Sequence, residues 1–351
     1  MHKFLTTLFT AILVVILSVV YKCYQSEIQN GTILQEMILK LIVRDIYPAQ
    51  GSEESLLKVR TMINSQGSVN GTAAANQTIV NIRIPGVSDQ LIPVRLYMPT
   101  EDSSSVNLKP VLIWFHGGGF ILGNYTNEDS TCAKIVQYTD FMIVNVDYRL
   151  APENQFPAGV NDGVVALQWT KNNIEKYGGN PAQIYISGES AGGNIASAVT
   201  AINYDSERTN KKDIVNIKGL FVLYPCLEHG VYRDSHFRYS NTFAMLTLKQ
   251  MIYFWTMYLA DQNLDCLDYR ACPMRTPKNI LQKFPPTLIV LAKHDILLDE
   301  GLNFGELLKE QQISVTTKVY NNVFHGFFAK PVRTTEEQTI EICQLISAMI
   351  H

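Results

Sequence analysis

The stretch Gly188-Glu-Ser190-Ala-Gly192 decides the fold of this chain. It has the form G-x-S-x-G, follows a predicted strand at 183–187 and precedes a helical pattern that begins at Gly193. A serine at such a tight strand-to-helix turn is held in strained backbone, and small neighbours let the turn close. The Ser190 hydroxyl then stands at a helix N-terminus, where developing negative charge is stabilised. An ordinary glycine-rich turn between a strand and a helix is the alternative interpretation.

Working outward from this turn, apolar runs rich in β-branched residues alternate with helical patterns. This alternation predicts a mostly parallel sheet covered by helices on both faces, an α/β fold. From 228 to 284 the rhythm is interrupted by an aromatic-rich helical stretch, Phe243 to Leu259, which indicates an insertion. The predicted strands are 111–115, 141–146, 184–186, 220–223, 288–291 and 315–319; the predicted helices are 164–174, 195–202, 302–308 and 339–350.

A serine hydroxyl needs a base, and a histidine base needs an acid that fixes its tautomer. Among the seven histidines, His325 lies just after the last predicted strand, at the sheet edge where open α/β folds place their sites. Asp295 follows the strand at 288–291, so the chain order is Ser190, Asp295, His325. Asp299 and Glu300 are rival acids, but they lie further from the strand end, where a helix is predicted to start.

The stretch His116-Gly-Gly-Gly-Phe120 follows the predicted strand at 111–115. Its backbone N–H groups can approach a ligand with no side chain in the way. Together with the N–H of Ala191, such amides bind the oxyanion of a tetrahedral intermediate. A phosphate-binding loop is the alternative, but its G-x-x-x-x-G-K-[ST] pattern does not occur here. Candidates for an apolar acyl pocket are Phe120, Phe254, Trp255, Phe327 and Phe328, with packing inside a cap helix the alternative for Phe254 and Trp255.

Composition excludes several other classes of protein. The 351 residues include 29 Lys and Arg against 32 Asp and Glu, a net charge of −3, and no basic run exceeds Lys211-Lys212. Nothing offers the positive surface that nucleic-acid binding needs. Six cysteines without a C-x-x-C pair argue against both a disulfide scaffold and a structural zinc site.

The N-terminal segment 4–21 carries no charge and is dominated by Leu, Ile, Val and Phe. As a helix it would span roughly 27 Å, close to the hydrocarbon thickness of a bilayer. Its end lacks the small residues of a signal-peptidase site, which favours an uncleaved anchor, with a cleaved signal or a buried helix as alternatives. Four N-x-[ST] sequons at Asn30, Asn70, Asn76 and Asn124 would carry glycans in a secretory compartment.

Five motifs in order resemble those of one known family. They are His116-Gly-Gly-Gly-Phe120, Asp147-Tyr-Arg-Leu-Ala-Pro-Glu153, Gly188-Glu-Ser-Ala-Gly-Gly193, Asp295-Ile-Leu-Leu-Asp-Glu-Gly301 and His325-Gly-Phe327. The set is similar to that of the hormone-sensitive-lipase-like esterases of the α/β-hydrolase fold. With the N-terminal segment, it resembles the arylacetamide deacetylases and neutral cholesterol ester hydrolases, whose catalytic body lies in the endoplasmic reticulum lumen.

The resemblance implies a role for each site residue. Ser190 would be the nucleophile, His325 the base and Asp295 the acid, with the oxyanion bound by Gly117, Gly118 and Ala191. Asp147 and Arg149 would be structural. Two departures are Glu189, where the family more often has aspartate, and the lack of an alignment for a deacetylase-type disulfide on Cys132 or Cys343.

The expected organisation has three parts: a membrane anchor or signal at 1–21, N-terminal cap helices and a connector at 22–79, and a catalytic domain at 80–351 with a cap insertion at about 228–284. The expected activity is hydrolysis of carboxylic esters of short to medium acyl chain, without a metal or organic cofactor. The expected partners are a small-molecule or lipid ester and the membrane, with no nucleic acid.

Several alternatives to this expectation remain open. On the same site they are an amide deacetylase and a lipid-ester lipase. Outside catalysis they are a ligand receptor on the same fold and a membrane-tethered interaction protein. The expected location is a single-pass membrane protein of the endoplasmic reticulum with a lumenal catalytic domain; a secreted protein is the alternative.

Overall fold

A computed structural model describes residues 56–57, 60–61, 77–87, 90–99, 107–240, 246–328 and 333–350. Its centre is a sheet of eight strands in the order β1-β2-β4-β3-β5-β6-β7-β8. The strands are β1 (Gln77–Pro85), β2 (Leu91–Pro99), β3 (Lys109–Phe115), β4 (Met142–Val146), β5 (Gly179–Glu189), β6 (Ile217–Leu223), β7 (Thr287–His294) and β8 (Val315–Phe324).

Strand direction sets where the sheet presents its loops. β1 pairs with β2 and β2 with β4 in antiparallel fashion, whereas β3 to β8 pair in parallel. Phe115 at the end of β3 lies opposite Gly188 of β5, and Leu223 at the end of β6 lies opposite Glu189. The carboxyl ends of these strands therefore meet at one edge of the sheet, where open α/β folds bind ligands.

Helices cover both faces of the sheet, and two buried clusters separate by face. Along β3, Val111, Ile113 and Phe115 belong to the first cluster, while Leu112 and Trp114 belong to the second, as the two-residue period of a strand requires. The helices are α1 (Asp129–Tyr138), α2 (Ala158–Asn173), α3 (Ala191–Tyr204), α4 (Asp234–Ser240), α5 (Leu248–Tyr258), α6 (Lys278–Leu281), α7 (Leu298–Glu310) and α8 (Arg333–Ala348). The first cluster includes buried residues of α2, α3 and α7, and the second includes those of α1 and α8.

The predicted α/β fold with a mostly parallel sheet is confirmed, and each predicted strand lies within or overlaps an observed one. The prediction missed the antiparallel pair β1–β2 and the helix α1. The sequence did not predict β2 because this strand contains Pro93, and a proline within an apolar run argues against a central strand. β4 pairs with Val94 to Tyr97, and on that side Pro93 takes part through its carbonyl alone, which accepts the backbone N–H of Asp147 at 3.0 Å.

The stretch 228–284, predicted as a cap insertion, lies between β6 and β7 and contains α4, α5 and α6. A capping box fixes the start of α5. The backbone N–H of Gln250 donates to the Thr247 hydroxyl at 3.3 Å, and the backbone N–H of Thr247 donates to Oε1 of the Gln250 side chain at 2.8 Å. The predicted Phe243 end of the aromatic stretch falls outside the described residues.

Several predictions concern residues that the structure does not describe. The apolar segment 4–21, most of 22–79, and the sequons at Asn30, Asn70 and Asn76 lie outside the described ranges. Over the ranges given above, no helix combines the length and apolarity needed to cross a membrane. The five cysteines within those ranges, Cys132, Cys226, Cys266, Cys272 and Cys343, are free thiols.

Candidate active site

Ser190 lies at the turn between β5 and α3 with φ 53° and ψ −120°, a left-handed backbone that non-glycine residues rarely adopt. The residues two positions before and two positions after Ser190 must be glycines. A Cβ at Gly188 would lie 2.3 Å from the carbonyl oxygen of Gly192, and a Cβ at Gly192 would lie 2.0 Å from that of Phe115. The Ser190 amide N–H donates to the Leu223 carbonyl at 2.9 Å, which ties the turn to the end of β6.

The three side chains predicted to act together meet at the sheet edge. Nε2 of His325 lies 2.8 Å from Oγ of Ser190, and Nδ1 lies 2.8 Å from Oδ2 of Asp295. Because an ionised carboxylate only accepts, the imidazole donates from Nδ1, which leaves the Nε2 lone pair facing the serine hydroxyl. Asp295 is buried, and its Oδ1 accepts the Leu297 amide N–H at 3.0 Å. The arrangement is that of a serine aligned with a base and a base aligned with an acid.

The two rival acids, Asp299 and Glu300, bind elsewhere. Oδ2 of Asp299 accepts the Ser235 amide N–H at 2.8 Å, and Oε2 of Glu300 accepts that of Leu227 at 2.7 Å. Both carboxylates therefore hold the start of the 228–284 stretch and not the imidazole of His325.

The glycine loop after β3 lies against the serine turn, since a Cβ at Gly117 would come within 3.0 Å of Glu189 Oε1. Gly118 and Gly119 have φ of +116° and +61°, and Phe120 follows with φ 67°. The amide N–H groups of Gly117, Gly118 and Ala191 donate to no acceptor among the described residues. The loop thus offers unshared donors beside the Ser190 turn, which is the requirement for binding an oxyanion.

His116 supports this loop with a neutral imidazole ring. Its ring is fully buried, and burial lowers its pKa to about 4, so the imidazole is neutral. Nδ1 donates to the carbonyl of Gly117 at 2.7 Å. The ring stacks on Tyr148 with centroids 4.3 Å apart, and the Tyr148 hydroxyl donates to the His116 carbonyl at 2.8 Å.

Tyr224, which the sequence reasoning missed, connects Glu189 with the imidazole of His325. Its hydroxyl donates to Oε2 of Glu189 at 2.5 Å, and its ring meets that of His325 edge-on with centroids 5.0 Å apart. Burial raises the pKa of Tyr224 well above its ordinary value, so the hydroxyl stays a donor. The only signal in the sequence is the position of Tyr224 directly after β6.

Helix α5 closes over the glycine loop. The ring of Phe254 lies where a Cβ of Gly119 would be, 2.4 Å from that position. The ring of Phe120 stacks on that of Tyr258 with centroids 3.8 Å apart, and its centroid lies 5.2 Å from that of Trp255. Packing of α5 against the loop is therefore the observed role of Phe254 and Trp255.

The other two acyl-pocket candidates, Phe327 and Phe328, are buried in the second cluster. Phe327 packs against Tyr224 with ring centroids 5.6 Å apart, and Phe328 packs against Trp114 at 6.3 Å. Both rings are thus part of the buried core.

Asp147 and Arg149, expected to be structural, contact neither Ser190 nor His325. Asp147 accepts the Tyr125 amide N–H at 3.1 Å, and burial raises its pKa to about 6. Arg149 pairs with the buried Asp162 at 2.8 Å. Within the described ranges no cluster of three or more His, Cys, Asp or Glu side chains has the arrangement to hold a metal ion.

The strand order, the serine turn and the contacts of His325 with Ser190 and Asp295 define the class of this protein as an α/β hydrolase. The family model of the alpha/beta hydrolase fold matches residues 112–329. The chain belongs to this family, as the resemblance of its motifs predicted.

The relatives of the chain include enzymes from bacteria and mammals. It is 30% identical over 250 residues to the carboxylic ester hydrolase LipN of Mycobacterium tuberculosis. The aligned region covers 71% of this chain and 64% of LipN, which is just under two thirds of that protein. It is 26% identical to the arylacetamide deacetylase of Mus musculus over 80% of this chain and 86% of that protein. A solved esterase of Pyrobaculum calidifontis superposes with a TM-score of 0.76 at 29% identity, covering 89% of this chain and 98% of that one.

Proposed function

We propose that this protein is a serine esterase that hydrolyses carboxylic esters through an acyl-serine intermediate. One observation carries the proposal: Oγ of Ser190, both nitrogens of His325 and Oδ2 of Asp295 form a continuous series with two contacts of 2.8 Å. The names of the relatives, a carboxylic ester hydrolase and an esterase among them, support the same reaction.

The first half of the reaction transfers the acyl group to Ser190. Nε2 of His325 takes the hydroxyl proton while Oγ attacks the ester carbonyl carbon. The buried carboxylate of Asp295 stabilises the resulting imidazolium. The tetrahedral intermediate then collapses, the bond to the alcohol oxygen breaks, and Nε2 returns the proton to the leaving alcohol.

In the second half, water repeats the sequence. Nε2 takes a proton from water, the hydroxide oxygen attacks the acyl carbon, and Ser190 leaves with the proton returned to Oγ. In both halves, the negative charge on the carbonyl oxygen is bound by the amide N–H groups of Gly117, Gly118 and Ala191. A donor of this kind typically contributes about 2.7–4 kcal/mol to the transition state. The reaction so written needs no cofactor.

The proposed substrates are esters of short to medium acyl chain. Support comes from helix α5, whose aromatic side chains fill the space directly over Gly119 and Phe120. The relationship to an arylacetamide deacetylase favours aryl amides as a second substrate class on the same site. A ligand receptor without catalysis has less support, because such a receptor has no need of an aligned serine, imidazole and carboxylate.

We also propose that the segment 4–21 anchors the chain in a membrane of the endoplasmic reticulum, with the catalytic body and its sequons in the lumen. The uncharged, apolar sequence of this segment supports the anchor, and the sequons support the lumenal side.

The reaction is tested with p-nitrophenyl esters of increasing chain length and one aryl amide, using the full chain. Ser190→Ala should abolish hydrolysis and labelling by a fluorophosphonate, because no other group can form the acyl intermediate. Asp295→Asn should lower kcat by about 10⁴-fold, since it favours the wrong tautomer of His325.

Ser187→Ala is a matched control for these variants. Its hydroxyl is buried three residues before the nucleophile and has no hydrogen-bond partner among the described residues. This variant should keep the wild-type kcat. Turnover at the wild-type rate in a folded Ser190→Ala variant would remove the proposed function.

A further inference from the structure

Arg60 reaches two carbonyl groups next to the glycine loop, from a position about 60 residues earlier in the chain. Its Nε donates to the carbonyl of Ile121 at 2.8 Å, and its Nη2 donates to that of Ala151 at 2.5 Å. Both nitrogens of its terminal fork also contact the carboxylate of Glu153, at 2.5 and 2.9 Å. The proposed mechanism uses none of these contacts.

Each of the two residues whose carbonyl accepts from Arg60 also donates its own N–H to a carbonyl of the glycine loop. Ile121, whose carbonyl accepts from Arg60, donates its own N–H to the carbonyl of Gly118 at 3.2 Å. Ala151, whose carbonyl also accepts from Arg60, donates its N–H to the carbonyl of Phe120 at 3.0 Å. One guanidinium thus braces the loop at two points, on either side of Gly119.

The loop needs such bracing because its backbone is strained. Gly118, Gly119, Phe120 and Gly123 all have positive φ values, and Phe120 pays a steric cost that glycine does not. A strained backbone conformation persists only where the surrounding contacts hold it in place. An amide that binds a developing oxyanion must also be held in place before the reaction, since a shift of about 1 Å costs much of the rate.

We propose that Arg60 is a positioning residue for the oxyanion-binding amides, held in its own place by Glu153. The inference rests on the proposed function and extends it to a residue of the N-terminal region. The side chain of Arg60 is 18% exposed, so its hydrogen bonds are partly shielded from water. Its contact with Glu153 also holds the pKa of that carboxyl below its ordinary value, which keeps the carboxylate ionised.

Arginine is suited to this task where lysine is not. The planar guanidinium donates from Nε to one carbonyl and from Nη2 to a second while its two terminal nitrogens meet a carboxylate. A lysine ammonium is a single point of charge on a flexible stem, so Arg60→Lys retains the charge but not the simultaneous contacts.

The test compares Arg60→Gln and Arg60→Lys with the full-length wild type, measuring kcat and KM on a short p-nitrophenyl ester. Losing charged hydrogen bonds should lower kcat about ten-fold in Arg60→Gln, with an intermediate loss in Arg60→Lys and KM changed less than about two-fold. The affinity for a trifluoromethyl ketone, which forms a tetrahedral adduct on the serine, should fall by the same factor as kcat.

Arg270→Gln is the matched control. Arg270 forms a similarly shielded pair with Asp268 at 2.6 Å and has no described hydrogen bond to residues 116–123. It should keep the wild-type kcat even where its unfolding temperature falls as much as that of Arg60→Gln.

Two results have different meanings. If the wild type neither hydrolyses esters nor reacts with a fluorophosphonate, the proposed function fails and Arg60 has no oxyanion loop to position. If the wild type is active and Arg60→Gln matches it in kcat and in ketone affinity while remaining folded, the inference on Arg60 alone is overturned.

Discussion

Replacing Gly118 by alanine tests the oxyanion loop at its most crowded position. A Cβ there would lie 2.2 Å from the carbonyl oxygen of Leu122 and 2.7 Å from its carbonyl carbon. These are backbone atoms, so no side-chain rotation can make room. Normal contact distances require the loop or Leu122 to move by about 1 Å. In addition, φ at Gly118 is +116°, where an alanine is strained by roughly 1–2 kcal/mol.

The displacement acts directly on catalysis, because Gly118 contributes one of the proposed oxyanion donors. A misplacement of about 1 Å, or the loss of one such donor, lowers kcat by about 10²- to 10³-fold. The interaction develops only in the transition state, so KM should change little. The assay is steady-state hydrolysis of a short p-nitrophenyl ester, with the unfolding temperature of each variant measured alongside.

Gly178→Ala separates backbone strain from crowding. Gly178 also has positive φ, at +86°, but nothing lies within 4 Å of a Cβ placed there. This variant should lose roughly 1–2 kcal/mol of stability and keep the wild-type kcat. A folded Gly118→Ala variant with the kcat of Gly178→Ala would refute the assignment of the loop as the oxyanion site.

Two further predictions concern stability and location. Since burial lowers the pKa of His116 from 6.5 to about 4, the unfolded state binds more protons between these values, and about 3 kcal/mol of stability present above pH 6.5 is lost as the pH falls to 4. His116→Phe should remove that part of the pH dependence in denaturant unfolding curves. If the free energy of unfolding of this variant still falls as much as that of the wild type between pH 6.5 and pH 4, the prediction is wrong. The full chain should stay with membranes after alkaline extraction, while a chain lacking residues 1–21 should enter the supernatant with its esterase activity. Release of the full chain would rule out the proposed anchor.

The sequence predicted which side chains meet at the sheet edge better than it predicted the borders of the fold. Ser190, Asp295 and His325 each follow a buried apolar strand, and parallel strands present their carboxyl ends at one edge. Strand identity and chain order were therefore enough to bring together residues separated by up to 135 positions. The glycine loop was recognisable because its three residues without side chains directly follow a predicted strand, where their N–H groups can approach a ligand.

Elements with mixed patterns were missed. β1 is an edge strand with alternating exposure, and β2 contains Pro93, so neither shows the continuous apolar run of a buried strand. Arg60 and Tyr224 were missed for another reason. Their partners, Ile121 and Ala151 for Arg60 and Glu189 for Tyr224, are 35 to 91 residues away, and nothing local in the sequence marks the pairing.

The three carboxylates of one short segment contact two different parts of the molecule. In Asp295-Ile-Leu-Leu-Asp299-Glu300, the first carboxylate faces His325 and the last two face the start of the 228–284 stretch. The hydroxyl of Ser235 also donates to the carbonyl of Ile296 at 2.7 Å, directly beside the acid.

The turn that orients the imidazole and the turn that docks α4 are therefore the same turn. Nε2 of His236 lies 3.3 Å from the buried carboxylate of Glu300, so removal of either partner leaves a polar group buried without its contact. Lost activity in a Glu300 variant would then reflect movement of the acid turn, not loss of an acid. The contact with Nδ1 of His325, which Asp295 makes and Glu300 does not, supports Asp295 as the proposed acid.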